Sequence, residues 1–397
     1  MTSKERMITA LETGGVDHVP CSFMIFFNLY ERCGTDTEFI ERQIDMGLDA
    51  YAHVGYLRHS LHPEAVYREW VERDQSGTCF CRRIETPKGP LTARVRQREG
   101  WPREGEFPLF NDWIVPRAEE VLVKPEEDLE RLAYVLGPFR DEDIQRLRET
   151  ASEARRVADK HDLLVVGGWT AYKRSLGPAG YTDDGVMGAD AMAWLSGYQD
   201  VMVLAELKPE VIREYARIIH EWNLKQIEIY LDVGNPDLIM RRGWYETTEF
   251  WTPRAFRDCI APTIKREADL VHQAGKRYGY IISSAFVPIL DDILDTGIDV
   301  LIGLDPKEGK DTDLEFVKSK FRAKRRALWG GVSGAVTVEL GTKQETEEAV
   351  IEALRIVGKD GGYILSPVDN VRENTPRAWE NTHTFIETWK RNRDQFA

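Results

Sequence analysis

The sequence predicts an α/β fold, a (β/α)8 TIM barrel. Short apolar runs alternate with amphipathic helical patterns, the rhythm of parallel β/α architecture. Eight such runs can be counted without forcing, the number a closed barrel needs. No Gly-x-Gly-x-x-Gly follows any of them, which removes support from a doubly wound dinucleotide fold.

The first helix lies in MTSKERMITALETGG, with Ser3 as the expected N-cap and Met7, Ile8 and Leu11 on one face. Val19 to Phe26 reads as strand one. A helix around Phe39, Ile40 and Ile44 ends at Gly47, and Leu48 to Tyr56 follows as strand two. From 62 to 123 the rhythm stops. Aromatic and β-branched residues crowd this stretch, and TPKGPLTARV reads as a hairpin. We read it as an insertion between strands two and three of one domain spanning 1–397. Two helices, PEEDLERLAYVL and DEDIQRLRETASEARRVADK, restore the rhythm. Strands three to eight are then Leu163 to Trp169, Pro236 to Gly243, KRYGYII, Asp299 to Pro306, Ala327 to Gly334 and Gly361 to Asn370.

Composition narrows the functional classes. With 53 Lys+Arg against 67 Asp+Glu, the net charge of −14 argues against a nucleic-acid partner. KSKFRAKRR reads as a solvated helix face. No apolar run approaches the ~20 residues of a membrane span. An odd count of five scattered cysteines fits a reducing cytoplasm. Cys79 and Cys81 read as strand residues, because no second Cys or His pair lies nearby.

In such barrels, chemistry sits where strands end. That places Phe26 and Asn28 after strand one, His53 at strand two, and Trp169 and Tyr172 after strand three. Strand four ends in Arg241-Arg242, with Trp244, Tyr245 and Glu246 beyond. Tyr280 and Ser283 end strand five, Asp305 strand six, Ser333 strand seven and Asp369 strand eight. Strand side chains alternate, so one of the two arginines faces inward, and Arg241 is the expected one. The set suits a flat, partly anionic organic substrate, with rings for apolar area and a guanidinium fork for an anion. Each residue also has a structural reading: His53 as a core histidine, Asp305 as a turn former, Asp369 as a cap, Trp244 as lid packing.

Several segments resemble the uroporphyrinogen decarboxylase superfamily. They are KERMITALETGGVDHVP, WTPRAFRDCIAPTIKREADLVHQAGKR, DDILDTGIDVLIGLDP, ALWGGVSGAVTVELGTKQETEEAV and GGYILSPVDNVRENTPRAWEN. The resemblance implies a barrel with its site at the strand ends, and two chemistries: cofactor-free decarboxylation, or methyl transfer to or from corrinoid proteins. The decarboxylases carry an arginine-rich segment after strand one. Here that stretch is SFMIFFNLYERCG, with Arg32 its single arginine. The thiol-methylating branch carries a zinc-binding His-x-Cys at strand five and a Cys after strand eight. Here those positions hold Ile281, Ser283 and SPVDN, so no metal is expected.

The remaining expectation is an O-demethylase type of methyltransferase. It would move a methyl group from a small aromatic methyl ether to a corrinoid (cobalamin) carried by a separate partner protein, with no cofactor bound by this chain. Asp369 or His53 would donate a proton, Tyr280 a hydrogen bond, and Arg241 would stabilise an anion. Phe26, Asn28, Trp169, Tyr172, Trp244, Ser283, Asp305 and Ser333 would line the substrate. The alternatives are a cofactor-independent decarboxylase or lyase on a small aromatic acid, and a non-catalytic barrel that binds an aromatic ligand. A homodimer is left open.

Overall fold

The computed structural model describes residues 1–57, 59–97, 109–112, 114–172 and 185–396. Its strands, in chain order, are β1 (Tyr51–His53), β2 (Val66–Asp74), β3 (Gly77–Thr86), β4 (Gly89–Arg96), β5 (Ala118–Glu120), β6 (Leu164–Gly168), β7 (Leu238–Arg242), β8 (Arg277–Ile281), β9 (Val300–Leu304), β10 (Ala327–Ser333) and β11 (Tyr363–Val368). Seven of them form one curled parallel sheet in the order β1-β6-β7-β8-β9-β10-β11. The other four form an antiparallel sheet, β2-β3-β4-β5, and TPKGPLTARV supplies the β3–β4 turn, with Thr86 opposite Gly89.

Residues 19–26 contain no regular strand, contrary to the expectation for strand one. They nevertheless occupy the gap between β11 and β1. Cys21 bridges Leu365 and Ile25 bridges Asn370, while the Asp49 N–H reaches the Cys21 carbonyl at 2.7 Å. Two prolines explain the irregularity. Neither Pro20 nor Pro367 has an N–H to give to a ladder. The Met24 N–H turns instead to the Ser366 hydroxyl, at 2.8 Å.

Strand alternation divides the apolar residues between two layers. Leu164, Val166, Leu238, Met240, Ile281, Ile302, Trp329 and Ile364 fill the barrel. Ile239, Tyr278, Tyr280, Leu301, Leu328 and Leu365 face the surrounding helices. The helix Ser3–Leu11 adds Met7, Ala10 and Leu11 to the barrel interior. Its N-cap is Thr2 in a capping box with Glu5, one residue before the expected Ser3. Lys4 pairs with Asp237 at 2.8 Å, and Arg277 with Glu12, so this helix sits beneath the starts of β7 and β8.

Asp49 joins three of these parts. It is buried, accepts from Arg6 Nη1 at 2.6 Å and from the Cys21 N–H at 3.1 Å, and lies two residues before the start of β1. Without Asp49, Arg6 still has Asp17 at 2.6 Å, but its Nη1 and the buried Cys21 N–H lose their acceptor. Asp49→Ala is therefore expected to cost about 1–3 kcal/mol of stability in urea unfolding, with Asp49→Asn milder because it keeps an acceptor for the Cys21 N–H.

Candidate active site

The site is built on the last two residues of β7. Leu238 and Met240 point into the barrel, so Arg242 does as well, and Arg241 points into the helix layer. This reverses the expectation that Arg241 is the inward residue. The sequence supplied the alternation but not its phase.

Arg242 is buried at the mouth of the barrel. Its Nε donates to Asp190, on the helix Ala189–Ser196, and Nη2 donates to both Asp112 oxygens at 3.2 and 3.3 Å. The guanidinium also lies 4.5 Å from the Trp244 ring centre, 4.6 Å from Trp194 and 5.4 Å from Tyr245, within cation–π range. Asp112 in turn accepts from the Trp194 indole at 2.8 Å and from the Tyr245 hydroxyl. Burial alone would raise its pKa. The Arg242 charge and these two donors outweigh burial and hold it below the usual range. Asp190 behaves oppositely. Complete burial, helped by the nearby Glu246 charge, pushes it up to about 6 against the pull of Arg242 and the Tyr245 N–H.

Around Arg242 lies a cavity of about 350 Å³, a size suited to a small organic molecule. Phe27, Trp169, Trp244, Ser283, Asp369 and Arg372 contribute to its wall. Trp169 and Trp244 meet edge to face, with ring centres 5.0 Å apart. Both indole N–H groups are buried and lack a hydrogen-bond partner among the described residues. Such donors normally find a partner, so a ligand acceptor would satisfy them. Asp369 follows β11 in a left-handed conformation, φ +60°, which is uncommon outside glycine though Asp tolerates it. Its side chain is exposed where it faces the cavity. Desolvation by the surrounding wall pushes its pKa up to about 6. Arg372 and Arg242 oppose that rise, while Glu308 and Asp112 add to it.

Four of the residues expected from sequence therefore share this cavity: Trp169, Trp244, Ser283 and Asp369. The other eight lie elsewhere. Arg241 is buried behind the wall, held by Glu246 at 2.5 Å and Glu267 at 3.1 Å. Tyr280 points the same way and donates to Glu246 at 2.7 Å, because it shares the outward register of Arg241. His53 accepts the Gly55 N–H at Nδ1 (3.1 Å) and, with Tyr172, lines a separate cavity of about 360 Å³ beside the helices Asp36–Asp45 and Asp141–His161. The Tyr172 hydroxyl accepts the Phe26 N–H at 2.7 Å. Phe26 is core, 4.4 Å from the Phe23 ring, and its neighbour Phe27 faces the mouth. Asn28 is buried and donates to the Glu373 carbonyl at 3.3 Å. Asp305 caps a turn through the Lys307 and Glu308 N–H groups, at 2.7 and 3.0 Å. Ser333 accepts the Val336 N–H at 3.2 Å and caps the next helical turn.

Asp112, Asp190 and Arg372 were not anticipated. Asp190 carried a usable signal, an acid in the first turn of a helix. Asp112 carried none, since no periodicity governs its segment. Among the described residues, no three His, Cys, Asp or Glu side chains gather as a metal site.

The model of the uroporphyrinogen decarboxylase (URO-D) family matches residues 190–391, just over half of the chain. The chain belongs to this family. URO-D membership accords with a site at the strand ends, and the matched span contains Arg242, Trp244, Ser283 and Asp369. Among solved structures, a methyltransferase from Methanosarcina mazei is similar over 98% of this chain and 99% of its own, at 18% identity and a TM-score of 0.59. A D-psicose 3-epimerase from Clostridium cellulolyticum H10 is similar over 66% of this chain and 86% of its own, at 13% identity and a TM-score of 0.35. The first likeness shows that the fold is shared along the whole URO-D chain. Among curated proteins, none matches.

An acid whose pKa rises on folding holds its proton more tightly folded than unfolded. Its stabilisation is complete below the unfolded value and disappears as pH climbs through the folded one. For Asp190 that window runs from 3.8 to about 6. Stability measured by urea unfolding across this window should fall more steeply with pH in the wild type than in Asp190→Asn.

Proposed function

We propose that the protein is a methyltransferase that removes the methyl group of an aromatic methyl ether and passes it to a separate corrinoid protein. The observation that carries this reading is the meeting, in one cavity, of the Trp169–Trp244 pair and an acid whose pKa is pushed up to about 6. The fold shared with the Methanosarcina mazei methyltransferase supports it.

The chemistry asks this chain for three things. It must hold a ring, and the faces of Trp169 and Trp244 supply flat apolar area. It must orient the ring, and Arg372 suits a substrate carboxylate, since its guanidinium has no ion-pair partner among the described residues. Arg242 is less suited, because Asp190 and Asp112 already hold it. The third need is a proton. When the methyl group departs, the aryl oxygen keeps the bonding pair, and a poor leaving group becomes a neutral phenol only if protonated. Asp369 is the donor, and the two unpartnered indole N–H groups stabilise charge on the oxygen as it develops.

The corrinoid, on its own protein, supplies a reduced cobalt that accepts the methyl group. The cavity opens at the strand ends, where Val336 and Leu340 expose apolar side chains in the segment after β10. That face suits an approaching partner. A second reading, cofactor-independent decarboxylation of a small aromatic acid, draws on Arg242 and Arg372, the two cations acting on Asp369.

The test is incubation with 3-methoxybenzoate and a reduced corrinoid protein. Release of the phenol with methylation of the corrinoid protein is expected, whereas carbon dioxide release without methyl transfer would favour the second reading. Asp369→Asn should lower kcat by about 10²–10⁴-fold. Arg372→Ala should raise KM for the carboxylate-bearing ether while leaving uncharged methoxybenzene unaffected.

A further inference from the structure

The cavity beside His53 shares no lining residue with the one around Arg242. It fills a seam in the barrel. β1 forms its ladder with β6. On its other side the chain meets the first segment through separate contacts, the Asp49 N–H to the Cys21 carbonyl at 2.7 Å and the Tyr51 hydroxyl to the Met24 carbonyl at 3.2 Å. The opening there holds about 360 Å³ and reaches the helices Asp36–Asp45 and Asp141–His161.

Phe23, Tyr30, Phe39, Tyr51, Tyr56 and Tyr172 give it rings. Tyr172 meets Tyr30 and Phe39 with centres 4.8 and 4.9 Å apart and planes inclined by 42 and 56°, and Tyr30 meets Phe39 at 5.2 Å and 84°. Rings so inclined form a corner, which suits a compact group better than a flat one.

The charge on the lining has one sign. Asp36 and Glu153 belong to it, and among the described residues no Lys or Arg does. His53 adds no positive charge, because it accepts the Gly55 N–H at Nδ1, which a protonated ring could not do. The start of the helix Asp36–Asp45 is closed to an anion. Glu38 takes the Gly34 N–H at 2.6 Å, and the Thr35 hydroxyl takes the Glu38 N–H at 3.0 Å. Other polar side chains are turned to the backbone. Gln43 donates to the Phe39 carbonyl at 3.3 Å and Thr150 to the Val54 carbonyl at 3.1 Å, while the Tyr172 hydroxyl accepts the Phe26 N–H. The cavity therefore presents rings and negative charge rather than a frame of hydrogen bonds.

We propose that this cavity binds a small organic cation, a quaternary ammonium compound with a short tail. Such a head has no N–H to satisfy and is drawn to ring faces. The corner of Tyr30, Phe39 and Tyr172 receives it, and Asp36 and Glu153, both exposed, meet its charge from the rim.

Choline is the probe, titrated into the full chain by isothermal titration calorimetry beside its uncharged isostere, 3,3-dimethylbutan-1-ol, and benzoate. Choline is expected to bind about tenfold more tightly than the isostere, and benzoate is expected not to compete. Phe39→Leu should weaken choline binding and Phe39→Tyr should keep it. Glu153→Arg changes an exposed helix position and should also weaken it. Asp159→Arg makes the same change of charge on the same helix, off the lining, and should not. An isostere that binds as tightly as choline overturns the proposal. So does choline binding that Glu153→Arg leaves unchanged, or no binding of choline at millimolar concentration.

Discussion

Two buried guanidinium groups on consecutive residues of β7 constrain this molecule more than any other feature. Alternation sends Arg241 and Arg242 to opposite sides of the barrel wall. Neither can be buried without counter-charges, since each ion costs several kcal/mol to desolvate. The chain therefore brings two carboxylates to each. Glu246 and Glu267 reach Arg241 from the loop after β7 and from the helix Ala261–Gln273. Asp190 and Asp112 reach Arg242 from the helix Ala189–Ser196 and from the segment before β5. Four separate stretches are thus tied to one dipeptide. Glycines leave it the room. A Cβ on Gly188 would strike the Arg241 guanidinium and Glu246, and a Cβ on Gly243 would strike Tyr280 and Glu246.

This arrangement sets the electrostatics of the cavity. Arg242 is positive but largely committed, so it acts as a fixed charge around which other groups titrate. It holds Asp112 low and restrains, without cancelling, the rise that burial imposes on Asp190. Asp369 feels the same charge from across the cavity, together with that of Arg372. The outer cluster does a different job. Tyr278 and Tyr280 donate to Glu267 and Glu246, and His220 and Asn223 complete the satisfaction of Glu267. Both carboxylates of this network are satisfied, although Arg241 Nε and His220 Nε2 have no hydrogen-bond partner among the described residues; the shared bonds tie β7 and β8 together from behind.

The fold was more legible than the site, and for a physical reason. Apolar runs announce strands because both faces of a parallel strand are buried, and so six of the eight expected runs contain a strand almost to their ends. Strand one failed as a regular element because Pro20 and Pro367 break its ladder. Site residues demand more than strand position. They need the phase of the alternation, and a one-residue error exchanges inside for outside. That error separates Arg241 from Arg242. Tyr280 shares it, because Gly279 and Ile281 take the inward register. His53 and Tyr172 fail differently. They do lie at strand ends, but the ring of Phe27 stands 5.9 Å from Tyr172 and also lines the mouth, so two neighbouring cavities divide the residues that sequence placed in one. Asp112 was beyond reach, because its place follows from the tertiary path of an irregular segment.

The relation between β8 and β11 gives the site its coherence. Ile281 and Ser283 stand where the resemblance implies a metal-binding His-x-Cys. In the structure Ile281 is barrel packing, and Ser283 opens onto the cavity. The position is still part of a site, although its side chains can neither move a proton at neutral pH nor take up charge. The acid comes instead from β11, where the chain adopts a left-handed turn at Asp369. Backbone in that region costs about 1 kcal/mol or more for a residue other than glycine, and it persists only where its surroundings hold it. Here the next residue, Asn370, bridges Ile25, and Asn28 clasps the loop at the Glu373 carbonyl. The irregular segment that replaced strand one therefore has a use. It holds the strained turn that presents Asp369, and a regular strand ending at Phe26 would have no such grip on residues 370–373.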